Sequence, residues 1–201
     1  MADIVLASAS PRRAELLRQI GVDFTVHPAD VDESVEEGES PQCYVERLAR
    51  EKAMVVAGRL SGDELVIGSD TSVVLLGEIL GKPDNHDDAV AMLGRLSGAS
   101  HQVMTGVAVV RNGLCKSTLV VTDVRFRELS EPEVEAYVFS GEPMDKAGSY
   151  GIQGLGGIFV REIRGSYSAV VGLPLQETAA LIAEAGVPVW ENWPRRLENR
   201  T

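Results

Sequence analysis

Apolar and polar positions along this chain switch between a strand period and a helix period, and the switching predicts an α/β fold. Residues 4–7 form a short apolar run of the kind a buried strand shows. From Pro11 to about Ile20 the period is helical, with Leu16, Leu17 and Ile20 on one side and Gly21 at a C′ position. Phe24-Thr25-Val26-His27 alternates as a strand. Ser40-Pro41 opens a second helix to about Gly58, with Val45, Leu48 and Val55 on its apolar stripe. Residues 65–68 then read as a buried strand ending at Ser69-Asp70-Thr71, and residues 72–76 read as a new apolar run. Asn85 caps a helix through Ala89, Met92, Leu93 and Leu96, which ends at Gly98.

Between Gln102 and Arg127 the pattern is a long hairpin turning at Asn112-Gly113, a type I′ signal, with arms long enough to cross two lobes. Ser130-Glu131-Pro132-Glu133 is a capping box for a helix that ends at Ser140-Gly141. Residues 158–160 read as a strand, and Pro174 opens a last long helix through Leu175, Ala179, Leu181, Ile182 and Ala185. The pattern places one two-lobed domain at residues 1–190 and a weakly ordered polar tail at 191–201.

Composition narrows the function classes. With 44% apolar and 24% charged residues the chain can bury a substantial core. A net charge of −11 argues against a general nucleic-acid or membrane-surface binder. It leaves room for a small polyanion, because local cations dominate within a screening length of about 8 Å. Cys43 and Cys115 form no C-x-x-C pair, no apolar run reaches the roughly 20 residues of a membrane span, and residues 1–6 lack a signal-peptide pattern. The expectation is a cytoplasmic protein.

Candidate chemistry starts at Ser8-Ala9-Ser10-Pro11-Arg12-Arg13. Ser10 can cap the first helix and Pro11 suits its first position. Two arginines in that first turn oppose the macrodipole, each costing on the order of 0.3–1 kcal/mol. An anion docked there removes the conflict, since backbone N–H groups, serine hydroxyls and guanidiniums would converge on it. This predicts a phosphate-binding turn. The acidic segment Asp30, Asp32, Glu33, Glu36 and Glu37 has no apolar period and is either a solvated loop or the source of a carboxylate that holds a divalent ion. Lys52 falls on the stripe of the second helix, where its ammonium either snorkels to the surface or enters a pocket. Asp70, at a strand end between apolar runs, must be paired, hydrogen-bonded or metal-bound, and its position makes it the leading catalytic candidate.

Other motifs stop short of known sites. Residues 77–83 resemble part of a Walker A loop, but the spacing is one residue short and Pro83 replaces the magnesium-binding hydroxyl, so Gly81-Lys82-Pro83 reads as a tight turn presenting Lys82. Residues 145–157 carry five glycines without a G-x-G-x-x-G match, consistent with close backbone approach to a ligand or with a plain flexible loop. There is no G-x-S-x-G elbow, and His27, His86 and His101 have no metal-ligand spacing. The remaining inventory suits phosphoryl chemistry aided by a metal ion.

These residues resemble the signature of the Maf family of nucleoside triphosphate pyrophosphatases. The resemblance runs from Ser8–Arg13 and Glu15-Leu16-Leu17 through Val31-Asp32-Glu33, residues 49–53, Gly68-Ser69-Asp70-Thr71 and Gly81-Lys82-Pro83 to the glycine-rich segment. It implies an inosine-triphosphatase-like fold, with a bent mixed sheet and a cleft between two lobes. It also implies hydrolysis between the α- and β-phosphates, dependence on a divalent metal such as Mg2+ or Mn2+, and in many members a homodimer. Carried over by position, Asp70 is the proton acceptor, Ser8, Arg12, Arg13, Lys52 and Lys82 contact phosphate, and Glu33 and Asp70 lie at the metal.

Residues 145–154 look like the branch that hydrolyses dTTP and UTP, with Arg12, Arg13, Thr71 and Gln153 at specificity positions. The Gln153 amide offers a donor and an acceptor to the O4 and N3–H edge of uracil or thymine. Enzymes for modified pyrimidine nucleotides, and a nucleotide-binding regulator of septum formation without hydrolysis, are the alternatives.

Overall fold

The computed structural model describes residues 3–61 and 63–193. The first elements are β1 (Ile4–Leu6), α1 (Pro11–Gln19), β2 (Thr25–Val26) and α2 (Pro41–Ala57). Then come β3 (Leu65–Leu75), β4 (Glu78–Leu80), α3 (His86–Leu96), β5 (Ser100–Arg111) and β6 (Leu114–Phe126). The chain continues through α4 (Glu131–Phe139), β7 (Val160–Arg164), α5 (Tyr167–Val171) and α6 (Leu175–Glu184). Seven strands form one mixed sheet in the order β2-β1-β3-β5-β6-β7, with β4 also on β3.

The predicted hairpin is the spine of this sheet. β5 and β6 pair from Ser100↔Arg125 to Arg111↔Leu114, and Asn112 and Gly113 take the positive φ values of 50° and 73° that a type I′ turn requires. Its other side pairs antiparallel with β3, from Val66↔Val110 to Val74↔Gln102. That pairing corrects one expectation. Residues 65–75 are a single strand, so Asp70 lies mid-strand and not at a strand end. Polar Ser69 to Thr71 suggested a break, but the β5 ladder keeps the backbone extended and these three side chains find partners of their own.

Separate cores fill the two lobes. On one face of the sheet, Leu6, Ile67 and Val107 pack with Leu16 and Leu17 of α1 and Ile182 of α6. On the other face, Val66, Ala108 and Val110 meet Ala49, Ala53 and Val56 of α2. Val45 and Leu48 are buried as predicted, but toward the end of that helix the buried valine is Val56, one residue beyond the predicted Val55, because small Ala49 and Ala53 make the contact face. In the second lobe, Val73, Leu75 and Val103 continue the same strands into a cluster with Leu93, Leu96, Phe126 and Phe159. The strand expected at 158–160 begins only at Val160. Residues 155–159 are a 3₁₀ turn that drives Phe159 edge-on against Phe126 and Tyr137. Helix α5 was not predicted, since its five residues are too few to show a period. The expected tail falls largely outside the described residues. Short of residue 194, the Trp193 indole Nε1–H donates to the Ile20 carbonyl at 2.7 Å.

His101 is 2% exposed in the second lobe, bonded through Nε2 to the Tyr150 hydroxyl at 2.9 Å. Burial pushes its pKa down to about 4, below the ordinary value near 6.5. The unfolded chain therefore binds this proton more readily, and the stability due to neutral His101 is complete above about pH 6.5 and declines as pH falls toward 4. Urea unfolding between pH 7.5 and 4.5 should show a loss of up to roughly 1.4 kcal/mol per pH unit that His101→Phe lacks. Equal slopes in the two proteins would contradict it.

Candidate active site

A gap in the sheet creates the site. β1 pairs with β3 only at residues 65–67, and β4 pairs with it only at 73–75, on the edge opposite β5. Among the described residues, 68–72 have a strand partner on the β5 side alone. Where β1 leaves the sheet the chain turns through Ser8 to Arg13, and after β4 it turns through Gly81 and Lys82. This window lets side chains from both faces of β3 line one cleft, which is how mid-strand Asp70 is reached. The cleft measures about 820 Å3 and is lined by Ser8, Arg12, Arg13, Glu33, Lys52 and Asp70, and also by Thr71, Lys82 and Gln153. The structure thus brings together the residues that the resemblance placed at the site, and of the acidic segment 30–37 it brings in Glu33 but not Asp30, Asp32, Glu36 or Glu37.

The turn before α1 differs in detail from the expected cap. Ser10 occupies the N-cap position, but its side chain makes no capping bond, and its N–H donates to Ser8 Oγ at 3.2 Å. Ser8, 7% exposed, also accepts from Arg13 Nη1 at 3.1 Å. Arg13 further donates from Nε to the Gly172 carbonyl at 2.8 Å and from Nη2 to Thr71 Oγ1 at 3.2 Å. Its three hydrogen-bond partners are neutral, and burial holds its pKa below the usual arginine value against the opposing pull of Asp70. Two of its five N–H groups, one on each Nη, remain for a ligand, the fork that suits a phosphate. Arg12 leans across the cleft to Asp145 at 3.5 Å, with a third of its side chain exposed.

The Arg12 pair is half in water and contributes on the order of 0–1 kcal/mol. Arg12→Ala also relieves one cation at the start of α1. Its thermal stability without ligand should lie within a few degrees of the parent, while binding of a phosphate polyanion weakens. Calorimetry and titration with inorganic tripolyphosphate check both halves.

An acid–ammonium–acid triplet lines the same cleft. Lys52, 7% exposed, reaches Asp70 Oδ1 at 2.7 Å and Glu33 Oε1 at 2.6 Å. Of the two readings of Lys52, the pocket is the one the fold adopts. One of its three N–H groups is left for another partner. Burial tends to raise the Glu33 carboxyl, but Lys52, with Lys82 and Arg13 behind it, holds it below its ordinary range. Helix α2 also fixes the acidic segment. Tyr44 donates from its hydroxyl to the Glu33 carbonyl at 2.8 Å, and Arg47 clamps Glu39 at 2.7 Å and the Ser34 carbonyl at 3.0 Å. The charges of Asp70 and Glu33 add to burial in pushing the Tyr44 phenol up to about 12.

The glycine-rich wall is organised by Glu142. Its carboxylate accepts from the N–H groups of Leu155 (2.9 Å) and Gly156 (3.1 Å) and from the Tyr137 hydroxyl (2.9 Å). A Cβ on Gly154 would stand 2.3 Å from its Oε2, so the backbone wraps this carboxylate closely. Gly148 N–H donates to the Gly81 carbonyl at 2.9 Å, tying this wall to the turn that carries Lys82. Tyr44, Glu142, Asp145 and Lys146 line the cleft and were not singled out from the sequence. Their signals, an aromatic one turn into α2 and charges among glycines, are too common to stand out.

A family model described as Maf-like protein matches residues 3–185, most of the chain. The chain belongs to the Maf family. A dTTP/UTP pyrophosphatase of Hahella chejuensis is 54% identical to this Maf protein over 192 residues, which is 94% of this chain and 95% of that one. One of Vibrio cholerae is 56% identical over 179 residues, 89% of this chain and 96% of that one. The solved structure of the Staphylococcus aureus Ham1 protein aligns over 62% of this chain and 71% of that one, at 18% identity and a TM-score of 0.46, a likeness that carries no argument about the site. No helix among the described residues is long and apolar enough to cross a membrane.

Proposed function

We propose that this Maf protein hydrolyses dTTP and UTP to the nucleoside monophosphate and pyrophosphate. The observation that carries this reading is one buried carboxylate, Asp70, lining the same cleft as Ser8, Arg12, Arg13 and Lys82. Such a layout sets a proton acceptor beside a polyanion cradle. In the proposed step, Asp70 takes a proton from a water as the water oxygen bonds to the α-phosphorus. The bond from that phosphorus to the bridging oxygen breaks, and pyrophosphate leaves with the electron pair. Lys52, Lys82 and the arginines hold the phosphate oxygens and balance the charge that moves to the leaving group. Gln153, exposed on the cleft wall, reads the O4 and N3–H edge of the base.

A divalent metal belongs to the same reading. Glu33 and Asp70 are two hard carboxylates already converging on one cation, the Lys52 ammonium, and Mg2+ is commonly bound by one or two carboxylates together with substrate phosphates. This donor set fits Mg2+ or Mn2+, which when bound would add positive charge beside the triphosphate. A cytoplasmic location and a homodimer complete the reading without bearing on the chemistry.

The deciding experiment assays pyrophosphate release with Mg2+ or Mn2+ across dTTP, UTP, CTP, GTP, 7-methyl-GTP and modified pyrimidine nucleotides. Rates for dTTP and UTP well above the rest are expected. Preference for a modified pyrimidine would move the substrate, and binding without hydrolysis of any nucleotide would replace the enzyme with a regulator.

A further inference from the structure

Behind Arg13 lies a chain of hydroxyls whose proton order can be deduced. Thr71 and Thr105 are direct partners across the β3–β5 ladder, and their Oγ1 atoms are 3.0 Å apart. Distance alone leaves the donor of that pair open. Thr105 Oγ1, however, donates to the Ala169 carbonyl at 2.7 Å, and a threonine hydroxyl has one proton. The backbone N–H groups of Gly172 and Leu173 both turn to the Ser168 carbonyl, so neither serves Ala169. With the Thr105 proton committed to Ala169, Thr71 must be the donor to Thr105. Thr71 in turn accepts from Arg13 Nη2 at 3.2 Å. The direction of donation therefore runs from Arg13 to Thr71 to Thr105 and ends on the Ala169 carbonyl of α5, which accepts.

Thr105 is fully buried and does not line the cleft. Ser69, equally buried, donates to the Gly172 carbonyl at 3.1 Å, the same oxygen that receives Arg13 Nε. Two hydroxyls out of reach of any ligand thus hold two of the three acceptors of Arg13 in place. The hydrogen bonds given for this guanidinium all go to neutral acceptors, so its aim depends on those acceptors being fixed. We propose that Thr105 is a positioning residue of the site, acting through Thr71 to aim the two remaining N–H groups of Arg13 at the phosphates. A second consequence concerns Thr71. Its only proton is spent inside the protein, so toward the cleft it presents an acceptor and no donor.

The inference rests on the proposed role of Arg13 as a phosphate ligand, and its test separates the two. Inorganic pyrophosphate with Mg2+ serves as the probe, titrated calorimetrically into four proteins: the parent, Thr105→Val, Arg13→Ala and the double variant. Thr105→Val keeps the shape and removes the hydroxyl. It should weaken pyrophosphate binding about fivefold to tenfold, a loss typical of one net hydrogen bond. Thr105→Ser should restore binding to within about twofold. In the Arg13→Ala background, Thr105→Val should have almost no further effect, because the group it aims is gone.

An equal loss from Thr105→Val with and without the Arg13 side chain would mean a general structural role and overturn the proposal. Parent-like binding in Thr105→Val would overturn it as well. Unchanged binding in Arg13→Ala alone would overturn the phosphate role of Arg13 itself. None of these outcomes depends on whether dTTP or UTP is hydrolysed.

Discussion

Asp70→Asn should abolish most pyrophosphate release from dTTP and UTP while leaving nucleotide binding nearly intact. Asparagine keeps the shape and the hydrogen bond to Lys52 but cannot take a proton. General-base catalysis of this kind is worth about 10²–10⁴-fold, so turnover should fall by roughly three orders of magnitude. Removing one partner of a buried ion pair often costs 3–5 kcal/mol because a bare charge remains. Here the ammonium keeps Glu33 at 2.6 Å, and the loss of stability should be well below that range. Titration with a non-hydrolysable α,β-substituted UTP analogue should give a dissociation constant within a few fold of the parent's. Turnover close to the parent's would remove Asp70 from the role of base. A loss of binding as large as the loss of turnover would make holding the metal and substrate, and not proton transfer, its main role.

The same chemistry explains what could be read from the sequence and what could not. The Arg12-Arg13 pair was conspicuous because it violates the electrostatics of a helix start, and a violated local rule points to a ligand. The hairpin at Asn112-Gly113 and the capping box at Ser130 were legible because each is a short-range pattern with one conformational solution. Asp70 was found for a reason that turned out to be wrong in detail. The polar run 69–71 looked like a strand end, whereas it is a strand interior left unpaired on one edge by the divergence of β1 and β4. That divergence is a tertiary fact, set by which strands pair with which half of β3, and no local period encodes it. The 3₁₀ turn at 155–159 was lost for a similar reason, since the partners of Phe159 are Phe126 and Tyr137, distant in sequence. Glu142 is the clearest case. A lone acidic residue after Gly141 means nothing until the glycine segment wraps around it.

Gly68→Ala should lower stability and activity together, in contrast to Asp70→Asn. Helix α2 rests directly on the sheet over Gly68 and Gly106. A Cβ on Gly68 would lie 2.3 Å from the Ala49 carbonyl oxygen and 2.7 Å from the Ala53 nitrogen, and one on Gly106 would lie 2.7 Å from the Val45 carbonyl oxygen. These obstacles are helix backbone, which cannot rotate aside as a side chain can. Overpacking of a core usually costs about 1–3 kcal/mol, and contact with backbone should put this variant at or above the upper end. Lys52 stands between Ala49 and Ala53 on the same helix. Lifting α2 off the sheet draws the ammonium away from Asp70, and the site fails even in molecules that remain folded.

Gly94→Ala in α3 supplies the comparison. Nothing lies within 4 Å of the added Cβ, and alanine in a helix interior should gain about 0.5–1 kcal/mol with no change in turnover. Urea unfolding and pyrophosphate release, measured on the two variants where both are folded, test the pair. A Gly68→Ala protein with the parent's stability and turnover would mean that α2 does not seat on the glycine floor, and the placement of Lys52 would need another cause. The expected opposite signs in stability would instead tie the triplet of Glu33, Lys52 and Asp70 to the absent side chain of Gly68 beneath the helix that carries Lys52.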